Sequence, residues 1–148
     1  MESSASPFVY KCRVYYEDTD AGGIVYYANY LKFCERARTE WLRPLGIQAQ
    51  SELLKSGRGF VVRSIKGSYD KPARLDDELS VGVELLKMRH ASLVLLQTIC
   101  NQSHEKIFEL ECTLVFVDFK TGLPCGMPAV LLDFFKKAGG EQVPAARN

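Results

Sequence analysis

The chain has 148 residues, the size of one domain, and its 47% hydrophobic and 25% charged residues are typical of a globular protein. The formal net charge of +1 and the lack of a Lys/Arg-rich run argue against nucleic-acid binding. No apolar stretch approaches the ~20 residues of a membrane span, and MESSASP lacks the basic and apolar regions of a secretory signal. We therefore expect a cytoplasmic protein without a membrane span.

The cysteines and histidines do not suggest a disulfide framework or a metal site. Five cysteines, an odd number without a CxxC pair, predict reduced thiols in a reducing cytoplasm. Only two histidines, His90 and His104, are available, and the cysteines are not clustered. We therefore predict no zinc site.

The first two periodic segments predict a strand and a long helix. Residues 8–17 alternate apolar and polar side chains, which is typical of a half-buried strand. In YLKFCERARTEWL the apolar residues share one side of a helix: Tyr30, Phe33, Cys34, Ala37 and Trp41. Asn29 is a candidate N-cap, and Pro44 and Gly46 are expected to stop the helix.

The remainder of the chain predicts four more strands and a short helix. FVVRSIKGSY, LSVGVELLKM, SLVLLQTIC and KIFELECTLVFVDF alternate, and their short spacers favour antiparallel hairpins. MPAVLLDFFKK predicts a C-terminal helix at about 127–138, followed by a frayed tail at 139–148. We predict one α+β domain over 1–148, with its core at about 8–120 and a long helix packed on a five-stranded antiparallel sheet.

The stretch DTDAGG, residues 18–23, carries the candidate chemistry. A calcium loop starting at Asp18 would need an oxygen ligand at its fifth position and a glutamate at its twelfth, but these are Gly22 and Asn29. Magnesium-dependent phosphoryl transfer usually uses parallel α/β sheets, and this chain lacks their alternating strand–helix order. Neither metal chemistry is expected.

Two interpretations of this stretch remain open on the residues alone. In the first, Asp20 at the edge of an apolar pocket activates water or attacks an acyl carbon, and free N–H groups at the following helix start stabilise the oxyanion. Gly22 and Gly23 would then allow a close backbone approach. In the second, Asp18 and Asp20 only accept hydrogen bonds from turn and cap amides.

YEDTDAGGIVYYANYLKFCERARTEWLRPLGI closely resembles the hallmark segment of hot-dog-fold acyl-CoA thioesterases of the 4-hydroxybenzoyl-CoA thioesterase superfamily, nearest the YbgC-like, Tol–Pal-associated branch. The resemblance continues through GFVVRSIKGSYDKPARLDDELSV and covers most of 8–120. It implies a hot-dog fold, with Asp20 as the catalytic carboxylate, the Tyr27 backbone N–H as oxyanion donor and Asp18 as loop support. It implies no metal and no cofactor, since CoA is part of the substrate. That branch often has His where this chain has Tyr27.

The resemblance also implies an assembly and further substrate contacts. Family members form dimers by joining sheets edge to edge, some dimers pair into tetramers, and the active site lies at the subunit interface. Basic residues at a predicted hairpin tip could meet the CoA phosphates or form a solvated turn: Lys87, Arg89 and His90. Lys71 and Arg74, beside Pro72, are further basic candidates. Tyr26 and Tyr30 could line an acyl tunnel or belong to the core.

These observations predict a homo-oligomeric hydrolase that cleaves a thioester of CoA, or of an acyl-carrier protein, to a free acid. Two alternatives differ in class. A related hot-dog dehydratase would need a His paired with a carboxylate, and the predicted long helix contains no His. A non-catalytic acyl-binding protein, or a scaffold of the Tol–Pal system or of lipid metabolism, would not need Asp20.

Overall fold

The computed structural model describes residues 8–139, without the side chains of 47–50. Five strands, three α-helices and two 3₁₀ turns follow the chain in this order: β1 (Phe8–Arg13), a 3₁₀ turn (Tyr16–Asp18), α1 (Asn29–Leu42), a 3₁₀ turn (Arg43–Leu45), α2 (Ile47–Lys55), β2 (Arg58–Tyr69), β3 (Glu78–Met88), β4 (Ser92–Cys100), β5 (Lys106–Asp118) and α3 (Ala129–Lys137). The predicted tail at 139–148 lies outside the described residues except for Gly139.

The strands form one antiparallel sheet in the order β1-β3-β4-β5-β2, so β1 and β2 are its edges. Helix α1 packs across β1 and β3 on the concave face. Its buried residues are those predicted from the sequence: Tyr30, Phe33, Cys34, Ala37 and Trp41. The hot-dog prediction of a long helix held by a five-stranded antiparallel sheet, with a short C-terminal helix, is confirmed.

One buried polar side chain fixes α1 to the middle of the sheet. Gln97 on β4 is fully buried; its Nε2 donates to the Cys34 carbonyl at 2.8 Å, and its Oε1 accepts from Arg38 Nη1 at 2.8 Å. Because a buried amide without partners would be costly, these two bonds make the position of the helix on β4 specific.

The concave face is not covered evenly. Val62, Ile65 and Tyr69 on the edge strand β2 are opposite buried residues of β5 and therefore face the same side as the core. They are nevertheless 51%, 47% and 52% exposed. An apolar stripe next to an unpaired strand edge is a feature that proteins usually cover.

Two local predictions need correction. β1 ends at Arg13 rather than at residue 17, because the Asp18 Oδ2 accepts a hydrogen bond from the Tyr15 N–H at 2.8 Å and closes a 3₁₀ turn. Tyr16, expected on the buried side of the strand, is 83% exposed. Helix α2 was not predicted: it begins after Gly46, whose φ of 94° separates it from the preceding 3₁₀ turn.

Candidate active site

The DTDAGG stretch folds into a tight hairpin that is extended by a third segment. Thr19 pairs with Val25, and Ile24 pairs with Arg74, both antiparallel. The Val25 N–H donates to the Ala73 carbonyl at 2.9 Å. Val25 and Ala73 are 3% and 0% exposed, so this small three-stranded unit buries one face and turns the other outward. Because side chains alternate along a strand, the outward face includes the side chains of Asp20, Ile24 and Arg74.

Asp18 holds the base of this hairpin. Its carboxylate accepts from the Tyr15 N–H, and its carbonyl accepts from the Tyr26 N–H at 3.0 Å and from the Asn29 Nδ2 at 2.9 Å. These bonds connect β1, the hairpin and helix α1. The geometry fits loop support, the role expected for Asp18.

Asp20 lies at the exposed tip. Its Oδ1 accepts from the Gly22 N–H at 2.8 Å, and among residues 8–139 its Oδ2 has no hydrogen-bond donor. A Cβ at Gly22 would lie 3.3 Å from Oδ1, and Gly23 has a φ of 79° that favours glycine. The turn described by the second interpretation therefore exists, and it leaves one carboxylate oxygen available.

The start of α1 presents free backbone donors. No described residue accepts a hydrogen bond from the N–H of Tyr27 or Ala28. The Tyr26 carbonyl accepts from the Asn29 N–H at 2.8 Å, which turns that carbonyl toward the helix. Since N–H and C=O point in opposite directions across a trans peptide, the Tyr27 N–H points away from the helix. Its direction suits an external acceptor.

Asn29 does not cap the helix as its sequence position suggested. Ala28 occupies the N-cap position and makes no side-chain cap bond, whereas Asn29 is the first helical residue. The Asn29 side chain bonds to the Asp18 carbonyl instead. The helix start is therefore fixed relative to the hairpin, while the N–H groups of Tyr27 and Ala28, just before Asn29, have no acceptor among the described residues.

An aromatic groove of about 380 Å³ lies next to these donors. Its walls include Ile24, Tyr27, Tyr30 and Tyr69. The Tyr69 hydroxyl donates to the Tyr27 carbonyl at 3.1 Å. Ile24 is opposite Asp20 in the hairpin, and the Asp20 N–H donates to the Ile24 carbonyl at 2.9 Å. The carboxylate, the helix start and the groove thus meet around Ile24.

Tyr30 and Tyr26 have different environments. Tyr30 is 3% exposed, its ring stacks on Phe108 at 5.2 Å, and its hydroxyl accepts from the Ala73 N–H at 3.0 Å. Burial raises the pKa of Tyr30, so its hydroxyl is neutral. Tyr26 is 47% exposed, and its ring contacts Tyr27 at 4.9 Å. Tyr30 belongs to both the core and the groove, and Tyr26 lies on the outer surface.

The basic hairpin tip is far from this groove within one protomer. Lys87 is near the end of β3, and Arg89 and His90 lie between β3 and β4. The groove is near the opposite end of β4, which is about 27 Å long at the usual rise per residue. Arg89 has a buried Nε without a partner among the described residues. His90 rests on Gly126 and accepts, through its carbonyl, from the Met127 N–H at 3.1 Å.

Tyr69 lines the groove and packs on the buried Phe108, and neither residue is identified by the sequence analysis. Their rings lie 4.8 Å apart because the β2–β5 register places them opposite each other. The register includes a bulge between Val62 and Ser64. No local signal in the sequence gives the position of that bulge, so the pairing could not be predicted.

Cysteine chemistry does not compete for this site. All five cysteines are free thiols. Burial raises the pKa of Cys12 to about 11 and that of Cys34 to about 12, and it also raises the pKa of Cys112. Thiols with such pKa values are poor nucleophiles near neutral pH.

Within residues 8–139, no helix is both long enough and apolar enough to cross a membrane.

Comparison with known sequences identifies the family. Residues 14–135 match the model of the thioesterase-like superfamily. The acyl-CoA thioester hydrolase YbgC of Escherichia coli O157:H7 is 44% identical over 130 residues, covering 88% of this chain and 96% of the relative. The acyl-CoA thioesterase YbgC of Helicobacter pylori 26695 is 39% identical over 127 residues, covering 80% and 92%.

Comparison with solved structures supports the same fold. A 1,4-dihydroxy-2-naphthoyl-CoA thioesterase from Synechocystis superposes with a TM-score of 0.80 at 19% identity, covering 88% of this chain and 96% of that one. A gentisyl-coenzyme A thioesterase superposes with a TM-score of 0.74 at 28% identity, covering 84% and 98%. With the extent of the sequence matches and the sheet order, these likenesses place the chain in the thioesterase-like superfamily, among its YbgC-type hot-dog members.

Proposed function

We propose that this protein hydrolyses an acyl-CoA thioester to a free carboxylic acid and CoA, with its acyl group in the aromatic groove. The observation that carries the proposal is the meeting, around Ile24, of a carboxylate oxygen without a donor and backbone N–H groups without acceptors among the described residues. The names of the YbgC relatives, at 44% and 39% identity, support the same activity.

Asp20 is the group that drives the chemistry in this proposal. As a general base it takes a proton from water, whose oxygen attacks the thioester carbon. As a nucleophile its carboxylate forms an acyl-aspartyl anhydride, which water then cleaves. In both routes the C–S bond breaks, the thiolate of CoA leaves and takes up a proton, and the acid is released. The Gly22 N–H orients one carboxylate oxygen and leaves the other for either task.

The Tyr27 N–H holds the oxyanion. Negative charge develops on the acyl oxygen as the carbon becomes tetrahedral, and a fixed donor at a helix N-terminus is well suited to stabilise it. The donor is a backbone group, so Tyr in place of the His frequent in the YbgC-like branch does not remove it. The bond from Tyr69 to the Tyr27 carbonyl helps to hold this part of the backbone.

The working unit is at least a dimer formed through β2. A second copy, related by a two-fold axis, would pair with the edge of β2 and join the two sheets into one. It would also cover the exposed stripe formed by Val62, Ile65 and Tyr69. Tyr69 belongs to both the stripe and the groove, so this pairing places the partner subunit next to the groove. The tip residues Lys87, Arg89 and His90 of the partner subunit are then candidates for CoA phosphate contacts.

A panel of acyl-CoA esters, aliphatic and aromatic, tests the activity. Released thiol is measured with the purified protein, and a catalyst of this type should turn over at least one ester well above the rate in buffer. Sedimentation across micromolar concentrations measures assembly in parallel. No hydrolysis of any ester by a folded dimer would contradict the proposed activity, and a fully active monomer would contradict the proposed assembly.

A further inference from the structure

A polar cleft adjoins the aromatic groove. It has a volume of about 320 Å³ and shares Lys71 and Pro72 with the groove, so the two are adjacent. Its other walls include Arg74 and the residues of the β4–β5 turn. A ligand whose apolar end fills the groove has this cleft beside it.

Arg74 occupies a defined place relative to the candidate catalytic carboxylate. Ile24 pairs with Arg74 on one side and lies opposite Asp20 on the other, which places these three side chains in one row on the outward face. Two strand spacings separate the Asp20 and Arg74 backbones by about 10 Å. Among the described residues, nothing accepts a hydrogen bond from the Arg74 guanidinium. At one end of the row is a carboxylate with one oxygen that accepts no hydrogen bond from a described residue, and at the other end is the unpaired guanidinium of Arg74.

The other charges of the cleft are already engaged. Lys71 pairs with Glu105 at 2.7 Å. Asp77 accepts from the Arg74 N–H at 2.9 Å and from the Gln102 Nε2 at 3.1 Å. Two cations and two carboxylates leave the cleft without net charge. A dianionic phosphate would gain little from such a site, whereas a neutral ligand with amide groups would find suitable donors and acceptors.

We propose that this cleft binds the amide-bearing pantetheine arm of the thioester, with the Arg74 guanidinium donating to an amide carbonyl of the arm. The inference rests on the proposed function, because the arm leads directly from the sulfur of the reacting thioester. The arm is common to coenzyme A and to the phosphopantetheine of an acyl-carrier protein. Arg74 thereby fixes the direction in which the leaving group extends from the site.

Thioesters that share one acyl group but differ in the thiol test this assignment. The CoA ester has the arm with phosphates, the pantetheine ester has the arm alone, and the ethanethiol ester has no amide. For Arg74→Ala we expect kcat/KM to fall about tenfold on the CoA and pantetheine esters, mainly through KM, since one hydrogen bond from a charged group is lost. The ethanethiol ester should be unaffected.

Lys136→Ala on α3 is the matched control, because it removes one exposed positive charge away from the cleft and should change none of the three values. A loss confined to the CoA ester would mean that Arg74 contacts phosphate, and a loss on all three esters would place it at the reacting carbon. Either result, or no loss on any ester, would overturn the proposal.

Two further measurements identify the natural carrier of the arm and distinguish failure of the cleft assignment from failure of the proposed thioesterase activity. If an acyl-carrier-protein ester is hydrolysed and its kcat/KM also falls tenfold in Arg74→Ala, that protein is a source of the arm. If the CoA ester is hydrolysed and the acyl-carrier-protein ester is not, the source is coenzyme A. Either outcome, together with the tenfold loss, supports the cleft. Calorimetric titration with pantetheine needs no turnover and should give a Kd about tenfold weaker in Arg74→Ala. Pantetheine binding without hydrolysis would reject only the proposed function, whereas no binding by an active enzyme would reject the cleft.

Discussion

The two sides of the concave face differ in what covers them. On the side of β1 and β3, helix α1 seals the sheet, and the inward residues of β3 and β4 are buried. On the side of β2, residues that face the same way remain about half exposed. The covered side therefore provides much of the stability of the single chain, and the uncovered side leaves an apolar surface beside the groove, where we propose that a second copy binds.

The largest expected effect on stability comes from the covered side. Leu95 on β4 is 0% exposed, so Leu95→Ala should lower the free energy of unfolding by about 2–5 kcal/mol, because a cavity remains under α1. Denaturant unfolding measures this. Leu96→Ala removes the same atoms from the other face of the sheet, where the side chain is only partly buried, and should cost clearly less. Equal costs would mean that α1 does not define the core.

A substitution on the uncovered side should weaken the dimer rather than the folded chain. Ile65→Asp places a charge in the exposed stripe of β2, and we expect the dimer dissociation constant to rise at least ~30-fold, the scale of a hot-spot substitution of about 2 kcal/mol. Activity should fall together with the dimer. Val9→Asp is the matched control on the other edge strand, because Val9 is 48% exposed. If Val9→Asp dissociates the protein and Ile65→Asp does not, assembly uses β1.

A smaller effect should appear in alkaline solution, from the thiol of Cys34 on the buried face of α1. The pKa of Cys34 is raised by burial from 9.0 to about 12, so above pH 9 the unfolded chain loses this proton while the folded chain keeps it. The unfolded state then binds fewer protons, and stability falls as pH rises from about 9 toward 12. Unfolding free energies at pH 8 and pH 10.5 should differ less in Cys34→Ala than in the wild type. The same difference in both proteins would contradict the assigned cause.

Much of the fold could be predicted because local patterns report burial. The inward residues of α1 show helical spacing, β4 alternates strictly, and β3 alternates as far as Leu85. The apolar–polar alternation of β1 continues in the sequence as far as Tyr16 and so predicts a longer strand. The strand ends at Arg13 because the Asp18 carboxylate accepts a hydrogen bond from the Tyr15 N–H and the backbone turns. Pro44 and Gly46 predict the end of α1, but neither residue indicates that a second helix, α2, begins directly after Gly46.

Only those parts of the candidate site that are close together in the sequence could be predicted from it. Asp18, Asp20 and the two glycines lie in one turn, so their proximity follows from the sequence. The position of Arg74 in a row with Asp20 depends on the pairing of Ile24 with a segment fifty residues further along the chain. Such long-range pairing is set by tertiary packing and leaves no local trace.

The central claim is that Asp20 performs the chemistry while Asp18 maintains the loop, and turnover per folded protomer tests it most directly. Asp20→Asn keeps the shape and the bond from Gly22 but cannot take a proton or attack, so kcat should fall at least ~10²-fold with an unchanged melting temperature. Asp18→Asn, the matched control, should lower the melting temperature because it weakens the bond from Tyr15, and its folded fraction should stay active. A well-folded Asp20→Asn protein with near-wild-type kcat would contradict the account.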